Sequence, residues 1–588
     1  MAEDKTEAAP PPAQQPDMLP WRFNYAQALA EAKETGKPIF LEFRCVPCVN
    51  GREFDAQVVF TAPESPRGKL MSQYVLLRVD SMTGADIAHY DRDWHNSLYY
   101  FIINADEDIY LRYGGRDEKA ADTYLDYDSL ALALEIGLEE HRKHLADERP
   151  KDADDPRPPR LTPEDHKLVQ MEVIEKGRCT ECHLVGDFSM QEKELAGLLD
   201  PITDLYRSPD IKALGLHLDV PKGLVLASVD GPAAEAGIQA GDKITAFNGK
   251  RVLTFGDLQH QYDKAPRRTT KQVALTVERR GEAVEATVQL PFEWWRTGLE
   301  FRHWNMQPQL FFKSEPLTAE EKEARRLPAD GFASRVTEID LEAAFNDYHS
   351  LEIDDIVVAV NKVKTDPMTT RLADHIALHY PAESEIPLTV LRGEETEEVP
   401  LKTQRLNFRK YPIDRENVGL MVKWSEPDYV RKGNAKIVRY RAAIANGHLL
   451  VEAAHEPGWH SYAMDNAKRS AAASKGGPAA AGSHELPTVI ATPSDLAVDG
   501  GWKQTPPTDY SKPDIHWYTY GFSGTSYFAL PLKELPGKAF KVSITSQVCD
   551  AESCAGTFDL ELEVPIPNAD PANIFTQRII DALEAVEK

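Results

Sequence analysis

Cysteine is scarce in this chain, with six residues among 588, too few to staple a fold that lacks a hydrophobic core. No apolar run reaches the roughly 18 residues a membrane-crossing helix needs, so direct membrane insertion is not expected. Cations are outnumbered, 67 Lys and Arg against 94 Asp and Glu, for a net charge of −27. That balance argues against wrapping nucleic acid or lying on an anionic membrane, since both need clustered positive charge. The start, Met1 to Pro20, lacks the apolar stretch of a signal peptide. It is rich in Ala, Pro and Gln and reads as a flexible tether. Such a tether follows a signal peptide in many exported chains, so the expectation is a mature extracytoplasmic protein given a new Met. What the chain does contain is 42% hydrophobic and 9% aromatic residues, enough for packed cores. The length calls for about three to five of them.

The six cysteines fall into three close pairs, Cys45/Cys48, Cys179/Cys182 and Cys549/Cys554, with none left over. Close pairing points to redox chemistry, cofactor attachment or local clips. A single zinc site built from the two CxxC pairs is the weaker alternative, because each pair sits in a different module.

Hydrophobic patterning divides the chain. Residues 1–19 are the tether. Across 20–145 a helix ending at Gly36 precedes a buried strand, Pro38 to Phe43, that runs straight into Cys45-Val-Pro-Cys48. Strands at 74–80, 98–104 and 109–113 and an amphipathic helix, Tyr127 to Leu145, complete a mixed α/β order. Residues 146–163 are charged and Pro-rich, hence a linker. A short helical segment, 164–207, carries Cys179-Thr-Glu-Cys182-His183. Residues 208–292 alternate strands and turns, with Thr254-Phe-Gly-Asp257 as a capping box. Residues 293–405 repeat that order loosely. After a linker at 406–435 come short alternating strands over 436–566, the pattern of a β-sandwich, and a helix over 567–588.

A thiol pair at the end of a buried strand and the mouth of a helix is placed for exchange, because helix N-termini stabilise thiolates. Cys45 would be the exposed attacker and Cys48 the resolving thiol. Pro47 stiffens the loop and Arg44 adds a cation. The stretch from Trp21 through Lys37-Pro-Ile-Phe-Leu-Glu-Phe-Arg-Cys-Val-Pro-Cys48 resembles thioredoxin-like proteins over about 20–145. Where thioredoxins place a cis-proline opposite the dithiol, this chain reads Trp94-His-Asn-Ser-Leu98. A static disulfide or an inert remnant is therefore the competing role for Cys45/Cys48.

The CxxCH spacing is that of covalent c-type haem, with Cys179 and Cys182 bonded to the porphyrin and His183 on the iron. Met171, Met190 or His166 would be the sixth ligand. A small disulfide or a second dithiol fits the same residues.

Leu214-Gly215-Leu216, followed by Val229-Asp-Gly-Pro-Ala-Ala-Glu-Ala-Gly-Ile-Gln-Ala-Gly-Asp-Lys-Ile244, resembles a PDZ domain of the bacterial protease-associated kind. The resemblance implies that C-terminal peptides add as a strand and that Leu214, Gly215 and Leu216 line the carboxylate loop. In the second repeat Thr297-Gly298-Leu299 would be that loop, and Leu351-Glu-Ile-Asp-Asp355 replaces the Gly-Asp turn. No Ser-His-Asp module accompanies the repeats, so a protease would lack its catalytic part.

Glu456-Pro-Gly-Trp-His-Ser-Tyr462 and Ser546-Gln-Val-Cys-Asp-Ala-Glu-Ser-Cys554 resemble the N-terminal periplasmic domain of the disulfide reductase DsbD, an immunoglobulin-like sandwich. The resemblance implies a redox pair at Cys549 and Cys554. A structural clip is the alternative, and His455, His460 and Tyr462 fit a packing role. The combination of modules also resembles bacterial thioredoxin-like/PDZ domain (seleno)proteins, in which a dithiol position carries selenocysteine.

The expected fold is thus multidomain α/β and β: a thioredoxin-like domain, tandem PDZ domains and an immunoglobulin-like β-sandwich. The expected function is extracytoplasmic thiol–disulfide exchange with periplasmic client proteins, fed by a membrane electron donor. The competing functions are a non-catalytic PDZ scaffold and a c-type haem electron-transfer protein. No cofactor other than that haem is expected.

Overall fold

The computed structural model describes residues 18–44, 51–96, 98–149, 157–297, 308, 310–329, 331–361, 372–404, 419–433, 435–474, 485–550 and 553–587. The chain divides into two compact units. One takes in 1–161, 179–187 and 200–410, and the other 162–178, 188–199 and 411–588. The CxxCH segment, read from sequence as one helical piece, is thus shared between them.

The first unit begins with a five-stranded mixed sheet. Its strands are β1 (Trp21–Arg22), β2 (Ile39–Arg44), β3 (Val75–Val79), β4 (Leu98–Ile103) and β5 (Ile109–Tyr113), in the order β1-β3-β2-β4-β5. β1 and β2 run parallel to β3, and β4 is antiparallel to both β2 and β5. All six residues of β2 and of β4 are buried, covered on both faces; β4 is a continuous apolar run, whereas β2 carries Glu42 and Arg44 among its apolar residues. Four helices flank the sheet: α1 (Tyr25–Thr35), α2 (Arg52–Val59), α3 (Pro66–Met71) and α4 (Tyr127–Leu145). Asn24 caps α1 and Asp126 caps α4, each by accepting backbone N–H bonds. The stretch expected to be a linker is anchored at its end, where Ile87 N–H donates to Leu161 O at 2.7 Å and Arg157 meets Asp86 and Glu107.

Strands β6 (Leu216–Leu218) and β7 (Leu226–Val229) form a ribbon. β8 (Lys243–Phe247), β9 (Lys250–Arg251), β10 (Gln272–Arg279) and β11 (Glu282–Gln289) form a sheet in the order β11-β10-β8-β9. The helix Phe255–Lys264 starts at the expected capping box, Thr254 with Asp257. The following module has five strands in sequence order: β12 (Phe312–Pro316), β13 (Ser334–Ile339), β14 (Ile356–Val360), β15 (Glu385–Arg392) and β16 (Glu395–Lys402). Its core holds Val336, Val357, Ile376, Leu388 and Val390.

The second unit stacks two antiparallel sheets around one apolar core. One sheet joins β17 (Asp428–Lys432), β18 (Ala435–Ala445), β19 (His448–His455), β25 (Thr525–Pro531), β22 (Lys503–Gln504) and β28 (Glu584–Ala585). The other joins β21 (Val489–Ala491), β26 (Phe540–Cys549), β20 (His460–Tyr462), β24 (Tyr520–Phe522) and β23 (Thr508–Asp509), with β27 (Cys554–Val564) against β26. Two expectations change here. The C-terminal helix spans Ile574–Ala582, after which β28 pairs with β22. Part of the expected linker packs instead: Val422 is buried, and Trp424 Nε1 donates to Ala196 O at 2.9 Å.

Candidate functional site

Cys45, Pro47 and Cys48 lie outside the described residues. The floor beneath the end of β2 is described. Glu42 is fully buried and accepts from Arg78 Nη1 at 2.9 Å, while its Oε1 has no partner among the described residues. Arg78 also donates to both oxygens of Asp55, and Arg44 Nε donates to Asp55 at 2.9 Å. Burial, only partly countered by Arg78, pushes the Glu42 carboxyl up to about 8. Burial pushes Asp55 the same way, but the hydrogen bonds from Arg78 and Arg44 outweigh it and hold Asp55 low. Asp55 therefore keeps the negative charge and Glu42 the proton.

The CxxCH residues bond to the stretch between β3 and β4. Met82 N–H donates to Thr180 O at 2.8 Å, and the hydroxyls of Thr83 and Thr180 bond at 2.9 Å. Cys179 is exposed, and its Sγ contacts Asp80 O at 3.7 Å. Cys182 opens the helix Cys182–Leu195 and is 3% exposed. Both are free thiols. Arg92 Nη2 lies 3.2 Å from Cys182 Sγ and 3.8 Å from Met82 Sδ. The Arg92 guanidinium sits 4.3 Å from the Phe43 ring centre and 4.5 Å from that of Trp94. Sequence reasoning missed Arg92, because Asp91-Arg-Asp93 reads as a solvated charge run.

His183 Nε2 lies 3.4 Å from Glu181, and His166 Nδ1 is bonded to Glu192 at 2.9 Å. A covalent haem needs a porphyrin edge against both sulfurs. Cys182 is buried and faced by a guanidinium held between two rings, so the residues present do not fit that group.

In the PDZ-like loop, Leu214 and Leu216 are buried, and Gly215 has φ +78°. A Cβ on Gly215 would stand 1.9 Å from Asp230 O, so only glycine fits. The Gly215 amide donates to Lys212 O. Among the described strands β6 pairs with β7 alone. Of the second loop only Thr297 is described; Gly298 and Leu299 fall outside. The helix Phe255–Lys264 lies against β5. Arg112 N–H donates to Asp257 at 3.0 Å, Gln259 bonds the Arg116 carbonyl at 2.7 Å and its N–H at 3.1 Å, and Phe255 stacks on Tyr124.

Cys549 and Cys554 form a disulfide across the β26–β27 turn. Cys549 is 3% exposed, whereas Cys554 is open to solvent. Lys432 Nζ donates to Asp550 at 3.2 Å and to Ser553 Oγ at 2.7 Å, placing a cation on that turn. His460 stands across from Cys549 in the β20–β26 register and contacts Tyr462 Oη at 3.3 Å. His455 is bonded at both ring nitrogens, to Gly524 O and Ser461 Oγ. Burial lowers it to about 4, so it packs as a neutral ring. Lys432 was also missed, since nothing in the sequence ties it to a turn so far along the chain.

Residues 20–104 match the family model described as Thioredoxin-like, and residues 206–290 match the PDZ domain model. Over 81 residues the chain is 44% identical to the "Probable periplasmic serine endoprotease DegP-like" of Brucella suis biovar 1 (strain 1330), and equally to that of Brucella abortus (strain 2308). The match covers 13% of this chain and 15% of the relative's length. Among solved structures, the reduced Neisseria meningitidis DsbD N-terminal domain aligns at 17% identity and TM-score 0.16, over 22% of this chain and 83% of that one. The N-terminal periplasmic domain of ScsB from Proteus mirabilis aligns at 14% identity and TM-score 0.19, over 27% of this chain and 57% of that one. The chain carries a thioredoxin-like domain and a PDZ domain.

Proposed function

We propose that the protein is an extracytoplasmic thiol–disulfide oxidoreductase acting on disulfides or dithiols of other proteins. The observation that carries the reading is the Cys549–Cys554 disulfide, with one sulfur buried and one open to solvent beside Lys432. An exposed sulfur is open to attack by a client thiolate. The thioredoxin-like domain supports the second station, in which Cys45 attacks and Cys48 resolves. Electrons pass between the stations by exchange. A periplasmic setting is supported by the PDZ relatives, named as periplasmic, and by the Cys549–Cys554 disulfide, which persists in an oxidising compartment.

The PDZ domain takes an extended peptide of a client on the open edge of β6. The module over 310–402 is a second PDZ-like unit, and the C-terminal sheets are an immunoglobulin-like sandwich of the DsbD kind.

Insulin reduction by the full-length protein, followed by turbidity, tests the reading. Turnover should fall to background in Cys45→Ser and be sharply cut in Cys549→Ser. Wild type and Cys45→Ser turning over alike would defeat it. Potentials give a second measure: exchangeable pairs should lie above about −300 mV.

A further inference from the structure

The misfit between the CxxCH motif and a haem leaves the arrangement of Cys179, Cys182 and Arg92 to be explained. A buried guanidinium is costly unless an anion or a full set of hydrogen bonds answers it. Arg92 is 3% exposed, and its Nε and Nη1 have no partner among the described residues. The carboxylates on either side in the chain are turned to other groups. Asp91 pairs with Arg207 and Lys264, and Asp93 lies 3.4 Å from His95. The acceptors that Arg92 does meet are sulfurs, Cys182 at 3.2 Å and Met82 at 3.8 Å. Cys182 also sits at the first position of a 14-residue helix, where the free N–H groups favour negative charge. Two independent features therefore prepare one sulfur for an electron pair. Its neighbour Cys179, three residues earlier, is open to solvent.

We infer that Cys179 and Cys182 are a third exchange station, an electron-accepting disulfide whose leaving sulfur is Cys182 and whose charge is answered by Arg92. The inference deepens the oxidoreductase reading and rests on it. The cycle starts from the oxidised pair. A thiolate of a partner dithiol attacks Sγ of Cys179, the accessible sulfur. The Cys179–Cys182 bond breaks, and its electron pair leaves on Cys182, facing the Arg92 guanidinium. The partner's second thiolate then attacks the partner sulfur of the mixed disulfide. Cys179 leaves and takes a proton from solvent. The partner dithiol has become a disulfide and Cys179–Cys182 a dithiol, with two electrons moved. A stabilised leaving sulfur speeds the first step, and Arg92 acts through Cys182 as a positioning residue. The free thiols in the structure are the reduced product. Cys179 bonds Asp80, just past the end of β3, and Arg92 faces Phe43 near the end of the parallel strand β2, two residues before Cys45 in the chain. The partner dithiol is thus either Cys45/Cys48 of the same chain or that of another protein.

The test uses full-length protein equilibrated across ratios of reduced to oxidised glutathione, then quenched, differentially alkylated and weighed as the peptide spanning residues 179 and 182. The expected result is that both thiols appear and vanish together in one two-electron transition. In Arg92→Met the reduced form loses its counter-charge, so the transition shifts about tenfold toward the disulfide, and Arg92→Lys recovers most of the shift. Two thiols at every ratio, a transition unmoved in Arg92→Met, or a covalent haem mass on the peptide would each overturn the proposal. Insulin turnover lost in Cys45→Ser while the 179/182 peptide stays reduced would leave the oxidoreductase reading standing and remove this one. The source of the electrons is read from the pre-formed disulfide after one equivalent of dithiothreitol. Slower reduction in the Cys45→Ser, Cys48→Ser chain assigns the internal dithiol, and an unchanged rate assigns an outside one.

Discussion

Asp355 accepts from Arg392 through Nε at 2.8 Å and Nη2 at 2.7 Å, and Asp242 accepts from Arg279 through the same two nitrogens, both at 2.7 Å. The partners stand 37 residues apart in both modules. Each arginine also donates to a backbone carbonyl at the turn, Ser350 O in one and Gly237 O in the other. The residue before each aspartate is left-handed, Gly241 at φ +87° and Asp354 at φ +71°. The second module thus keeps the turn that its sequence had seemed to replace, with Asp doing the work of Gly.

That equivalence predicts opposite effects at neighbouring positions. Asp354→Gly relieves the left-handed cost and should stabilise the module by about 0.5 kcal/mol after the entropy of glycine is counted. Asp355→Ala removes a buried acceptor from a bidentate pair and should cost about 1–3 kcal/mol. Calorimetry of the full chain would show one transition moving up in the first variant and down in the second. Equal shifts in both would refute the shared turn.

The helix Phe255–Lys264 predicts a substitution whose sign separates local from tertiary energy. Gly256→Ala should gain about 1 kcal/mol of helix propensity. The new Cβ, however, would stand 2.6 Å from Arg112 O, a backbone atom that cannot swing away. We expect a net loss of about 1–3 kcal/mol and faster hydrogen exchange at the Arg112 amide, which donates to Asp257. A more stable protein with unchanged exchange would mean the helix does not bear on β5.

Much of the architecture was legible because burial writes itself into the sequence. Leu98–Ile103 is buried throughout and reads as an apolar run, Ile39–Phe43 is apolar but for Glu42, and Tyr127–Leu145 begins after the acid that caps it. What escaped depends on distant partners. Asp-Ala-Leu-Glu-Ala-Val-Glu is mostly helix-favouring, yet the helix ends at Ala582 and Glu584–Ala585 completes the edge of a sheet with Lys503–Gln504. Pairing with another strand overrides local propensity there. The cysteine pairs were visible at once, but Arg92 and Lys432, which set the charge around two of them, carry no local signal.

The unequal exposure of Cys549 and Cys554 predicts which sulfur a client meets. An incoming thiolate reaches Cys554 first and expels Cys549, and in the opposite direction Cys554 attacks a client disulfide and Cys549 resolves. Cys549→Ser, which keeps Cys554 as a lone thiolate, should therefore accumulate a mixed disulfide with an oxidised client by attacking the client's disulfide, visible on a non-reducing gel and lost on reduction. Cys554→Ser should trap little. Equal trapping by both variants would contradict the assignment. Lys432→Ala, which removes the cation from the turn, should slow reduction of the disulfide by about threefold to tenfold without changing the fold.

Glu42 predicts a pH dependence of stability. Its carboxyl is raised to about 8 in the folded chain, chiefly by burial, and returns to near 4.5 when the chain unfolds. Between those values the folded state binds the extra proton. The stabilising effect is fully present below about 4.5 and is lost as pH rises through about 8, with a slope of at most about 1.4 kcal/mol per pH unit. Asp55 contributes in the opposite sense, because its folded value is lowered. Its share is present above its unfolded value and lost as pH falls through the lower folded one, so the two effects occupy different pH ranges. Melting of the thioredoxin-like domain should therefore fall between pH 5 and pH 8 in wild type, and Glu42→Gln, which carries no proton to release, should flatten that fall. A wild-type profile that stays level, or one that Glu42→Gln leaves unchanged, would place the buried proton elsewhere.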